Sequence, residues 1–178
     1  AVQPSDDSYF GTSVFNHAKH RILWLLFLML SATITGTIIS RYEETISAIP
    51  LLVSFIPMLM DTGGNCGTQS STLVIRGIAT DEIRFGDLFK VAFKESRIAL
   101  LVGAALAAVN GLRIIVMYQD PRLAILLGIS LMCTVFLAEL IGCLLPLLAK
   151  KVHLDPAIMA APLITTIVDT CSIMIYFA

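Results

Sequence analysis

Between Leu123 and Ala149 the chain runs for 27 residues with a single charged side chain, Glu139. Few folds accept such a run. A helix rises about 1.5 Å per residue, so about 20 apolar residues cross the roughly 30 Å hydrocarbon core of a bilayer. Four more apolar stretches accompany it, at about Ile22–Ser40, Ile46–Ile75, Ile98–Tyr118 and Ala157–Phe177. Lipid offers no partner to a backbone amide, so each stretch should be helical. The two-residue alternation of a membrane barrel is absent. The chain is 57% hydrophobic and 14% charged, with a mean hydropathy of +0.86. Soluble domains carry roughly 25% charged residues. The expectation is an all-α polytopic membrane protein with five transmembrane helices per subunit, set in a lipid bilayer.

Lys and Arg orient it. With the N-terminus inside, nine of the twelve cationic side chains fall on the cytoplasmic side, and only Arg41, Arg113 and Arg122 fall outside. That asymmetry predicts a cytoplasmic N-terminus and an extracytoplasmic C-terminus in the cell (inner) membrane. Residues 1–21 read as a cytoplasmic N-terminal segment and 22–178 as one membrane domain. A cytoplasmic linker at about 77–96 carries apolar positions at helical spacing from Leu88 to Phe93, which predicts a short amphipathic helix there. No basic stripe interleaved with aromatics appears, which argues against nucleic acid. The four cysteines lie singly in apolar segments without ligand spacing, so they read as free core thiols.

Polar residues at membrane depth carry the functional argument. Asp61, Glu139 and Asp169 each cost a few kcal/mol to bury in lipid, which makes each a functional candidate. Glu139 has no polar company on its own helix. Asp169 has Thr165 and Thr166 at i−4 and i−3, on its own face, and Pro162 upstream frees a carbonyl one turn back. Hydroxyls, carbonyls and a carboxylate in one stripe suit a hard cation or its hydration shell. The segment "MLMDTGGNCGTQSST", residues 58–72, adds Asp61, Asn65 and Thr68 among three glycines. It is expected to be a loosened helix whose carbonyls face a cavity, with Pro50 and Pro57 weakening it further. A packing seam of small residues is the alternative. Asp61, Thr68, Pro162 and Thr166 are the pore-lining candidates. An intramembrane aspartyl protease would want Gly-x-Gly-Asp, which the chain lacks, so no enzyme is expected.

"PMLMDTGGNCGTQSSTLVIRGIAT" and "DPAIMAAPLITTIVDTCSIMIYF" together resemble the signature of the MgtE magnesium channels and their eukaryotic solute-carrier relatives. The resemblance implies a homodimeric, Mg²⁺-selective channel whose pore is lined by the second and fifth spans of both subunits. It implies that Asp169 binds hydrated Mg²⁺, that Thr165 contributes a backbone carbonyl, and that Gly64 and Asn65 form the motif of the second span. It further implies a cytoplasmic-side cation or gating site at Glu95 and Asp155. Bacterial members carry cytoplasmic regulatory domains and a plug helix upstream. Here at most the end of the plug, Ser8–Lys19, is expected; the start without Met suggests a piece of a longer protein, and the alternative is a member that naturally lacks these domains. Two rival readings are a cation-coupled Mg²⁺ exchanger and a non-transporting membrane scaffold.

The charge asymmetry has a direct check. Single cysteines placed at Ser8 and Gly86 should react with an impermeant thiol reagent only from the cytoplasmic side, and one at Asp120 only from outside. Labelling of position 86 from outside would reverse the map.

Overall fold

The computed structural model describes residues 13–151 and 156–178, and among these there is no strand. The first long helix, α1 (Val14–Arg41), starts where the Ser13 hydroxyl accepts from the Asn16 amide at 3.3 Å. A short α2 (Glu43–Ala48) follows, then a 3-10 segment, Pro50–Phe55. The remaining helices are α3 (Ile56–Ala79), α4 (Leu88–Tyr118), α5 (Pro121–Lys151) and α6 (Pro156–Phe177). Five long helices thus stand at the five apolar stretches. By length and composition, Phe85–Tyr118 and Pro121–Lys151 can cross a membrane, while Leu25–Arg41 and Pro162–Phe177 are shorter apolar helices. On α4, Leu101, Val109 and Val116 are at least 70% exposed, an outward-facing apolar surface of the kind lipid covers.

Three local expectations are corrected. The glycine segment is not loosened: α3 is regular from Ile56 to Ala79 and no described glycine has a positive φ. The break lies upstream, at Ile49, before Pro50 opens the 3-10 segment. Pro57 sits in the first turn of α3, where a missing N–H leaves no helical bond unmade. The linker carries no helix of its own either. Residues 80–84 turn, Phe85–Asp87 makes one 3-10 turn, and Leu88–Ser96 is the opening of α4. At the N-terminus, residues 1–12 lie outside the described residues, so Ser8–Lys19 is seen only from Ser13 onward, where it is mostly α1.

Helix α3 packs on α5 and α6, α5 also packs on α4, and α1 leans on α6. Leu59, Leu127, Val135, Ile164, Val168 and Ile173 fill the seam between them. The α3–α5 crossing is close enough that a Cβ on Gly142 would overlap the Gly67 carbonyl oxygen. A Cβ on Gly67 would come 2.8 Å from Ile164 Cγ2 and 3.1 Å from the Ala138 carbonyl oxygen. Without a solvent-driven hydrophobic term between spans, such approach and the van der Waals contact it allows hold helices together. At the far end Tyr42 stacks on Phe177 at 4.8 Å, and the Tyr176 hydroxyl donates to the Leu52 carbonyl at 3.0 Å. This clasp ties α1, the 3-10 segment and α6. Asp120 Oδ1 accepts from the Arg122 and Leu123 amides at 2.9 and 3.1 Å and so caps α5.

Gly142→Val should therefore destabilise the detergent-purified protein by about 2 kcal/mol or more, the cost of overpacking against immovable backbone. Gly111→Ala, whose new Cβ meets nothing within 4 Å, should leave the thermal midpoint unchanged or raise it. Thermal denaturation followed by size-exclusion chromatography compares the two; equal midpoints would mean that the α3–α5 crossing has room to spare.

Candidate cation site

Two helix faces meet at the site. On α3, Asp61, Gly64 and Asn65 share one side through their i+3 and i+4 spacing; on α6, Thr165 and Asp169 are one turn apart. Gly64 brings them together, since a Cβ there would stand only 3.1 Å from Thr165 Cγ2. The result is a cleft of about 190 Å³ lined by Met60, Asp61, Gly64, Asn65, Thr165 and Asp169. Asp61 and Asn65 are exposed, while Thr165 and Asp169 are half-buried. Asp61 and Asp169 lie close enough for their charges to repel. Neither forms an ion pair among the described residues. Two carboxylates, an amide and a hydroxyl therefore converge on one opening with no cationic side chain to neutralise them.

The threonines of α6 are held by the proline. Thr165 and Thr166 both donate to the Pro162 carbonyl, at 3.0 and 2.9 Å, which spends their protons and leaves oxygen lone pairs free. Of the two, Thr165 lines the cleft; Thr166 and Pro162 do not, and Pro162 acts by fixing the Thr165 rotamer. Thr170 donates to the Thr166 carbonyl at 3.0 Å and meets Thr35 of α1 at 2.9 Å. Thr68 belongs to a second cleft of about 380 Å³, one turn further along the same side of α3, with Gln69, Thr72 and Leu73. Gln69 and Thr72 escape a search for charged groups, yet they stand four residues beyond Asn65 and Thr68 and so extend one polar face. Met60 carries no signal of its own; its thioether chain simply floors the cleft.

The other acidic residues gather elsewhere. Glu95 is buried and accepts from Ser70 Oγ at 2.8 Å, and Ser70 also reaches the Glu139 carbonyl at 3.1 Å. Glu139 is buried as well, with its side chain near that of Glu95, so it finds across helices the company it lacks on its own. Glu95, expected at an open cytoplasmic-side cation site, faces this interior contact; its expected partner Asp155 lies outside the described residues. Among the described residues no three His, Cys, Asp or Glu side chains form a metal cage.

Comparison with known proteins bears on both walls of the cleft. The family model of MgtE, a divalent cation transporter, matches residues 56–178. The magnesium transporter MgtE of Thermus thermophilus is 36% identical over 160 residues, covering 89% of this chain and 35% of the relative. That of Bacillus subtilis is 33% identical over 171 residues, 96% of this chain and 38% of the relative. That of Enterococcus faecalis is 32% identical over 164 residues, 90% of this chain and 35% of the relative. The chain spans about a third of the length of these curated relatives. The matched region takes in α3 and α6 together with the cleft they enclose, and the chain belongs to the MgtE family of divalent cation transporters.

Proposed function

We propose that the chain is the membrane domain of a Mg²⁺ channel that works as a homodimer in the cell membrane. Five spans, α1, α3, α4, α5 and α6, cross the bilayer with the N-terminus cytoplasmic, and α3 and α6 of both subunits line the pore. The observation that carries the reading is the cleft of Asp61, Gly64, Asn65, Thr165 and Asp169, open on the flank of the subunit. A polar flank facing lipid would leave two carboxylates unsolvated. A second copy set against it would enclose the polar face in a water-filled path, which gives the homodimer its physical reason. Mg²⁺ releases its waters reluctantly, so a pore of sparse carboxylates suits the hydrated ion better than the bare one. Asp169 and Thr165 would touch those waters by hydrogen bonds, and Asp61 and Asn65 would hold the ion from the α3 side. Thr68, Gln69 and Thr72 continue the same face.

Flux of Mg²⁺ into liposomes tests this. Asp169→Asn keeps size and an oxygen but removes a half-buried charge, and should lower uptake at least about tenfold with the protein still folded and dimeric. Asp61→Asn should do less, because an exposed charge is screened by solvent. Since protons compete with the cation for the same carboxylates, apparent Mg²⁺ affinity should fall as pH is lowered, and this dependence should weaken in Asp169→Asn. Normal transport by that variant would remove Asp169 from the pathway, and no flux from the parent would favour a scaffold. A proton gradient imposed at equal Mg²⁺ on both sides should move no Mg²⁺; net movement would indicate a coupled exchanger.

Gly64 gives a separate prediction. Leu at this position should fill the cleft and collide with Thr165, and Mg²⁺ uptake should stop although insertion and dimerisation persist. Uptake at the parental rate would reduce Gly64 to a packing residue.

A further inference from the structure

We propose that the first three turns of α4, with the end of α5, form a docking surface for the anionic phosphate headgroups of membrane lipids. The inference rests on the reading of α4 as a membrane span. Lys90, Lys94 and Arg97 follow one another at intervals of four and three residues, so they share one face, and all three are exposed. Phe89 and Phe93 precede two of them by one residue and form the neighbouring face, 84% and 68% exposed, so a short basic and aromatic cluster is present here although the sequence was expected to hold none. The uninterrupted apolar part of the helix begins immediately afterwards, at Ile98. Bare phenyl rings beside cations are poorly placed in water. At the edge of a bilayer the same pattern is favourable: rings sink to the headgroup level, and Lys and Arg stems run along apolar surface while their charges reach the phosphates.

The end of α5 enlarges the surface. Lys151 Nζ stands 4.6 Å from the centroid of the Phe85 ring, which brings the α5 terminus against the turn that opens α4. Lys150 and Lys151 are both exposed. The carboxylates at this end compete weakly. Asp87 holds Lys90 at 3.0 Å, an exposed pair three residues apart that contributes little. Asp81 and Glu82 lie in the preceding turn, and Glu95, on the same helix as the basic stripe, is turned inward to Ser70. Lys94, Arg97, Lys150 and Lys151 form no ion pair among the described residues. Cations without ion pairs and exposed aromatic rings along the opening turns of a span complement lipid phosphate. An acidic protein segment would match the charge but would leave the rings without a reason.

Lipid-selective quenching tests the proposal on the protein reconstituted in vesicles. In a Trp24→Phe background, which removes the one native indole, Phe93→Trp places a reporter on the surface. Phosphatidylcholine vesicles containing phosphatidylglycerol are prepared with bromine on either the anionic or the zwitterionic lipid, at equal bromine content. Each basic residue near an anionic surface enriches it up to about fivefold, so brominated phosphatidylglycerol should quench the indole at least about twice as strongly. The ratio should approach one in Lys94→Gln/Arg97→Gln. It should also fall in the unmodified basic background at about 1 M NaCl, where the screening length shrinks to roughly 3 Å. Equal quenching by the two lipids at low salt would overturn the lipid proposal alone, and is the result an acidic protein partner predicts. A preference that survives both the variant and the salt would overturn it too. Absence of quenching by either lipid would overturn the membrane reading together with it.

Discussion

Backbone meets backbone where α3 crosses α5, and the placement of the candidate ligands follows from that contact. Gly67 and Gly142 leave no room for even one Cβ between them, which fixes how α3 is rotated about its axis. Gly63 lies one turn earlier on the same seam, where a Cβ would strike Val168 and Thr134. With 63 and 67 turned into the bundle, each following residue rotates by about 100°. Gly64 therefore meets α6 at the edge of the seam, and Asp61 and Asn65 are carried onto the open flank. The chemistry of the cleft depends on glycines that touch no ligand.

The other polar groups show how an apolar bundle absorbs them. Thr33, Thr37, Ser40 and Thr72 donate to carbonyls four residues back, a local bond that needs no partner helix. Ser70 instead joins α3 to Glu95 of α4 and the Glu139 backbone of α5. Thr35 and Thr170 fasten α1 to α6, on the far side of α6 from its α3 contact surface. The one threonine hydroxyl that lines the cleft, Thr165, has already given its proton to the Pro162 carbonyl, so what it presents outward is oxygen.

Long apolar stretches announced α5 and α6 within a few residues, because bilayer thickness sets a length that composition alone can meet; for α1 and α4 they gave only the C-terminal ends, since both helices begin well upstream, at Val14 and Leu88. The pairing of Thr165 with Asp169 was equally readable, since both lie on one helix at fixed spacing. The state of α3 was not. Glycines at 63, 64 and 67 fit a loosened helix as well as a packed one, and only the surface opposite decides. A branched side chain at position 142 would have excluded the close crossing, but Gly142 by itself does not require it. Glu139 was obscure for a related reason: its partners arrive from α3 and α4, and Ser70 is 69 positions away. The amphipathic pattern from Leu88 to Phe93 was correctly helical; what local pattern could not tell is that no turn separates it from Ile98.

Two pairs of carboxylates now stand in contrast. Glu95 and Glu139 are buried near each other and bridged by Ser70, which reaches the Glu95 carboxylate and the Glu139 backbone carbonyl, with Cys143 close enough to feel their charge. Every lone pair that faces such an interior has to be matched within the protein, so this pair is committed to holding α3, α4 and α5 together. Asp61 and Asp169 have no hydrogen-bonded side chain between them among the described residues and open onto a cleft. On the proposed reading, their mutual repulsion is left for something mobile to neutralise. Proteins bury acids in lipid at a cost of several kcal/mol, and an unneutralised pair is worse than one alone. On the proposed reading, the incomplete satisfaction of Asp61 and Asp169 is what makes a passing cation welcome, and its sparseness is what lets the cation leave. Residues that bound the ion from all sides would serve storage better than passage.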